Sequence, residues 1–167
     1  NTLLETKTET TATSGFLGNT SRHREDIDNI TFINSTAGAN ETKWDVSAQR
    51  DSSILAWYTK NSNNTYKVYI GSDSAIYGNV NSSYLFAYIG YSSTCTTTTN
   101  SIVNIELLNT TNVKNMEGMF KGFGYSKVEA LSLGNNFDTS NVTNMSYMFA
   151  DAGHENMRSL DFGNNFN

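Results

Sequence analysis

Two nine-residue stretches, NVKNMEGMF at 112–120 and NVTNMSYMF at 141–149, put apolar side chains at the same four positions 29 residues apart. Val113, Met116, Met119 and Phe120 align with Val142, Met145, Met148 and Phe149. The match continues through Val128, Leu131, Leu133 and Phe137, which correspond to Met157, Leu160, Phe162 and Phe166, and GNN at 134–136 recurs at 163–165. A worn third copy lies upstream, where NSSYLFAYI at 81–89 puts Leu85 and Phe86 in the Met-Phe slot. From Phe86 the next apolar positions, Ile102, Ile105 and Leu107, fall at offsets 16, 19 and 21, against 8, 11 and 13 from Phe120. A uniform displacement of eight marks one insertion, and the Ser/Thr run YSSTCTTTTN at 91–100 is its natural place.

Two periods alternate within a unit. Val142, Met145, Met148 and Phe149 at i, i+3, i+6 and i+7 predict one stripe of a short helix. Ser140, or Thr111 one copy earlier, stands where an N-cap would. EALSL and RSLDF alternate apolar and polar positions and predict short strands, with GNN as the turn that follows. One such unit cannot bury its own stripe, so the stripe recurs for neighbours to cover. The expected fold is therefore α/β, a leucine-rich-repeat-like solenoid with a short strand plus a short helix in each 29-residue unit. About two and a half repeats occupy residues 80–167, and the array reads as truncated at its C-terminal end. Asn112 with Asn141, and Asn115 with Asn144, are expected to form a side-chain amide ladder along the turns.

Upstream the pattern changes to period two. IDNITFI, WDVS, SILAWYT and YKVYIG read as four strands, with NSNN at 61–64 as a hairpin loop. They predict a small β-rich N-terminal cap over residues 16–79 that covers the open end of the repeats, with Trp44 and Trp57 in its core. Residues 1–15 are Thr/Glu-rich without apolar periodicity and read as a flexible segment.

Composition narrows function mainly by exclusion. A net charge of −5 offers no basic face for phosphates, and the one basic cluster, in SRHREDID at 21–28, is cancelled by the acids that follow it. Nucleic acid is thus not expected as a partner, and with no spanning apolar run neither is membrane insertion. The single cysteine, Cys95, reads as an incidental loop thiol. Two histidines, His23 and His154, and no Ser/His/Asp order give no catalytic set, so no enzyme is expected. No cofactor or metal is expected either, and Glu25, Asp26 and Asp28 read as a solvated charged turn. With no initiator Met and no spanning apolar run, the chain reads as a piece of something longer.

FDTSNVTNMSYMFA at 137–150, with RSLDF downstream, resembles the BspA-like leucine-rich-repeat surface proteins of bacteria. REDIDNITFINS at 24–35, WDVSAQRDSSILAWY at 44–58 and YKVYIGSDSAIYGN at 66–79 are similar to the capping module that precedes such arrays. The resemblance implies a position on the bacterial cell surface, outside the cell, and adhesion to host or neighbouring-cell protein or glycan. In a solenoid of that kind the outward strand residues would line one binding face. Here they are Glu106, Ser132 and Asp161, flanked by the loop residues Tyr125, Lys127, His154 and Arg158. The leading expectation is a non-catalytic binding module. A self-associating surface stalk is the structural alternative, and an enzyme the remote one.

Overall fold

The computed structural model describes residues 2–6 and 10–167. Its strands are short. β1 (Thr2–Leu3) is followed by an antiparallel pair, β2 (Gly15–Phe16) and β3 (Asn19–His23), and by a 3-10 turn at Arg24–Asp26. β4 (Ile27–Ile33), β5 (Trp44–Asp45), β6 (Leu55–Lys60) and β7 (Tyr66–Gly71) are the four strands that the period-two pattern predicts. β6 and β7 form a hairpin whose loop is closed by Asn61 N–H donating to Thr65 O at 2.8 Å. β8 (Ile76–Tyr77), β9 (Ile102–Val103), β10 (Leu108–Asn109), β11 (Ala130–Ser132) and β12 (Ser159–Asp161) complete the list. The main sheet runs β5-β6-β7-β4-β9, with β4 parallel to both β7 and β9. β1-β8-β10 form a parallel sheet, and β11 pairs in parallel with β12.

The expected strand-plus-helix solenoid does not form. Among the described residues there is no α-helix, only 3-10 turns at Arg24–Asp26 and Ile105–Leu107. Nor do the repeat strands line up as one sheet. Ile102–Val103 joins β4 of the main sheet, which leaves β11 and β12 paired only with each other.

What replaces the helix explains why its spacing misleads. In residues 116–123, Met119, Lys121 and Phe123 N–H donate to Met116, Gly118 and Phe120 O, closing successive three-residue turns. The alternate amides point elsewhere: Met116, Gly118, Phe120 and Gly122 N–H donate to Asn144, Ser146, Met148 and Ala150 O of the next unit at 2.8 Å. A helix would have used all of these donors within its own segment. Chains of i→i+3 turns also put apolar residues three apart on one side, so the sequence stripe fits both structures.

The backbone dictates the choice through left-handed residues at matching places. Gly118, Gly122 and Gly124 have φ of 57°, 65° and 57°, and their counterparts Tyr147, Asp151 and Gly153 have 57°, 58° and 57°. Three such residues in seven cannot belong to a right-handed helix. Ser140 and Thr111 are not N-caps either. Their N–H groups donate to Asp138 Oδ1 and Asn109 Oδ1, so the polar residues build Asx turns. The Asn ladder takes the same form: Asn81, Asn115 and Asn144 each accept from the N–H two residues on, in Ser83, Glu117 and Ser146. Asn141 Nδ2 does cross between units, donating to Thr111 O at 2.7 Å.

One hydrophobic cluster runs from the main sheet through the repeats. Phe32 of β4 meets Phe86 edge-on at 6.3 Å, Phe86 stacks on Phe120 at 5.4 Å, and Phe120 stacks on Phe149 at 5.3 Å. Three aligned positions of the repeat thus form a single row. At the row's start sits Arg24, fully buried although its segment reads as a self-cancelling charged stretch. Its Nη1 donates to Tyr84, Leu85 and Ala87 O at 2.7–3.1 Å. Leu85 and Ala87 align with Met119 and Lys121, whose carbonyls accept Phe86 and Tyr88 N–H. One guanidinium therefore takes the place of two amides of a preceding unit. The opening segment, read as flexible, also contributes: Leu4 is buried and Glu5 pairs with Arg50, while residues 1 and 7–9 lie outside the described residues. Trp57 is buried and stacked on Tyr69, and Trp44 is half-buried, its Nε1 donating to Leu17 O.

Phe120 is wholly buried with stacked rings on both sides, whereas Phe149 is only half-buried. Phe120→Ala should cost about 3–5 kcal/mol, the range for emptying a buried aromatic site, and Phe149→Ala clearly less. Urea unfolding followed by tryptophan fluorescence measures both, and equal costs would contradict the packing described.

Candidate functional site

The residues expected to form a binding face fall into separate groups. Ser132 ends β11 and Asp161 ends β12. The parallel register sets them side by side, and Ser132 Oγ donates to Asp161 Oδ2 at a long 3.5 Å. Both are exposed and border a shallow groove of about 240 Å³ with Ile102, Ala130 and Ser159. Glu106 does not extend that row, because it stands on the 3-10 turn Ile105–Leu107 instead of a strand. It lines a second groove of about 250 Å³ with Asn109, Thr111, Asn136, Asp138 and Asn165. That lining is almost wholly side-chain amide, hydroxyl and carboxylate, suited to hydrogen bonding and not to apolar ligands.

Tyr125 and His154 are brought together. Their rings stack at 4.8 Å and 6°, and Tyr91 continues the column beyond Tyr125 at 4.6 Å, with Tyr88 edge-on to Tyr91 at 5.6 Å. Burial, reinforced by the neighbouring Tyr125, pushes the Tyr91 phenol above its usual range. His154 Nδ1 lies 3.7 Å from Asp151 Oδ1. Lys127 is half-buried at the end of the turn, and Arg158 is exposed with its N–H donating to Glu129 O. Tyr91 was missed in the sequence, yet a signal existed. It precedes Tyr125 by 34 residues, the same interval that separates Phe86 from Phe120.

The charged turn and the cysteine both depart from expectation. Asp28 is buried, and its Oδ1 accepts the N–H of Thr96 and Thr97 at 2.8 and 3.0 Å while Oδ2 accepts Thr97 Oγ1 at 2.8 Å. It anchors the Ser/Thr insertion to the main sheet. Cys95 is carried inward by that anchor to 2 % exposure, its Sγ–H facing Glu25 O at 3.4 Å. Burial, then the charge of Asp28, pushes the thiol from 9.0 up to about 12. Side-chain donor atoms of His23, Glu25 and Asp26 gather within 4.8 Å of one another, all from one four-residue stretch and open to solvent. Among the described residues no helix is long and apolar enough to cross a membrane.

A family described as "Mycoplasma protein of unknown function, DUF285" matches residues 91–164, somewhat less than half of the chain. The matched span begins at Tyr91 and takes in the insertion, the second unit and most of the third. No curated protein and no solved structure matches the chain.

Because the folded thiol titrates near 12 and the free one near 9.0, the neutral form favours the fold below pH 9. That contribution is lost as the pH climbs from 9 through 12. The stability of the native chain should therefore fall more steeply over this window than that of Cys95→Ala, as read from urea midpoints. A thiol-specific chromogenic reagent at pH 8 should label Cys95 only after unfolding. Rapid labelling of the folded chain would refute the burial.

Proposed function

We propose that the chain is a non-catalytic binding module displayed at the bacterial cell surface, recognising a protein or glycan on host or neighbouring cells. One observation carries the reading: the repeat positions that point outward are occupied by groups able to make contacts, at the same place in successive units. The Tyr91–Tyr125–His154 column holds three rings rigid before any partner arrives, which lowers the entropy lost on binding. Ser132 and Asp161 supply exposed hydrogen-bonding groups, each held in place by the N–H of Gly134 or Gly163 and meeting each other only at a long 3.5 Å. A polar, mildly acidic exterior suits a partner held by hydrogen bonds more than one held by charge.

The sequence supports the location. The matched family is found in surface repeat proteins. The NVTNMSYMF block at 141–149 also resembles the BspA-like adhesins, taken here as a likeness of repeat pattern and not of fold.

Replacing Tyr125, His154 and Asp161 together by alanine tests the reading. Each is at least partly exposed, and none belongs to the buried row, so the fold should survive. Binding to immobilised matrix proteins, glycan arrays or whole cells should weaken by about tenfold or more, the loss of about 1.4 kcal/mol. If the native chain binds and the triple variant binds equally well, these residues are not the recognition face.

A further inference from the structure

The third unit repeats the turns of the second but leaves their outward donors unused. Met145, Tyr147, Phe149 and Asp151 occupy the places of Met116, Gly118, Phe120 and Gly122, whose N–H groups all donate to the following unit. Among the described residues those four N–H groups meet no acceptor. The apolar side chains are equally uncovered. Val113, Met116, Phe120 and Leu133 have no accessible surface, whereas Val142, Met145 and Phe149 are half-buried and Phe162 is 39 % exposed. The outer ring of the aromatic column, His154, is also exposed.

Register and chemistry define what fits this edge. The occupant must bring four carbonyls spaced two residues apart, with an apolar row beside them. Among the described residues, the repeat turns of a second copy offer no such free row. The carbonyls of Asn144, Ser146, Met148 and Ala150 already accept bonds from the second unit, and those of Leu85 and Ala87 are held by Arg24. Two copies meeting edge to edge would set donors against donors.

Tyr147 adds a finer condition. Its counterpart in the first unit, Tyr84, lies across Gly118, where a Cβ would meet the ring at 2.4 Å. Tyr88 covers Gly122 in the same manner, at 2.6 Å. Tyr147 shares the left-handed backbone of Tyr84 and is 69 % exposed, its ring approached by Lys121 Nζ at 6.0 Å and, among the described residues, by no following unit. We propose that the open edge of the third unit is a docking surface for one further 29-residue unit of this pattern, stacked in parallel and carrying glycine opposite Tyr147. This does not rest on the binding reading above: His154 borders the edge, but the backbone donors and Tyr147 that carry the argument have no part in that reading.

The test appends a copy of residues 110–138 directly after Asn167, which keeps the 29-residue interval and sets the copied Gly118 opposite Tyr147. Amide hydrogen exchange at Met145, Tyr147, Phe149 and Asp151 is compared in the native and extended chains, with Gly118 and Phe120 reporting that the fold is intact. Extension should slow the four amides about tenfold or more, the factor that about 1.4 kcal/mol of added local stability gives. In a second extended chain, valine in place of the copied Gly118 should abolish that slowing. Unchanged exchange on extension overturns the docking surface. Slowing that survives the valine overturns the glycine requirement. Slow exchange in the native chain that grows with its concentration assigns the edge to a second copy and overturns the occupant named here.

Discussion

Alternate amides in the turn segments of the first two units donate to the following unit, while those between them close local three-residue turns. This division of backbone donors is what the repeats depend on. Local turns alone would leave half the polar groups of a buried segment without partners, a cost of about 1–3 kcal/mol for each group left dry. Cross-unit bonds alone would give flat strands, which could not bring Met116, Met119 and Phe120 to one side. The combination needs left-handed backbone at fixed intervals. Glycine supplies it in the second unit, and tyrosine and aspartate accept its strain in the first and third.

A stack built this way needs a device wherever its polar row meets something other than a repeat. On the side of the main sheet that device is Arg24. The planar guanidinium reaches several carbonyls from a single buried side chain, and Phe16 lies against it at 5.5 Å. Around it the apolar row passes from Phe86 to Phe32, so the sheet and the repeats share one core. Asp28 and the insertion at 91–100 fasten the same junction from the polar side and carry Cys95 into it. The charged stretch at 21–28 is thus divided by residue: Arg24 and Asp28 face inward and hold backbone, while His23 faces solvent.

The repeat interval, the alignment of Phe86, Phe120 and Phe149, and the strands β4 to β7 were legible in the sequence because apolar periodicity records burial directly. Element type was not. Met at i+3 and i+6 satisfies a helix and a chain of tight turns equally, and the deciding φ values depend on Tyr84 and Tyr147 adopting a conformation their residue type disfavours. The roles of Arg24 and Asp28 were hidden for another reason: local charge balance predicts solvation, but the backbone groups they hold across the junction are 60 to 69 residues away. At the candidate face, Tyr125 with His154 and Ser132 with Asp161 follow from the 29-residue interval alone. Glu106 does not, because the insertion shifts its segment onto a 3-10 turn and sends Ile102–Val103 to the main sheet.

Scalar couplings transmitted across hydrogen bonds in an isotopically labelled sample test the division of donors most directly. The account predicts that Gly118, Phe120 and Gly122 amide nitrogens couple to the carbonyl carbons of Ser146, Met148 and Ala150. A coupling from the Phe120 amide to the Met116 carbonyl instead, four residues back, would contradict it and restore the helix.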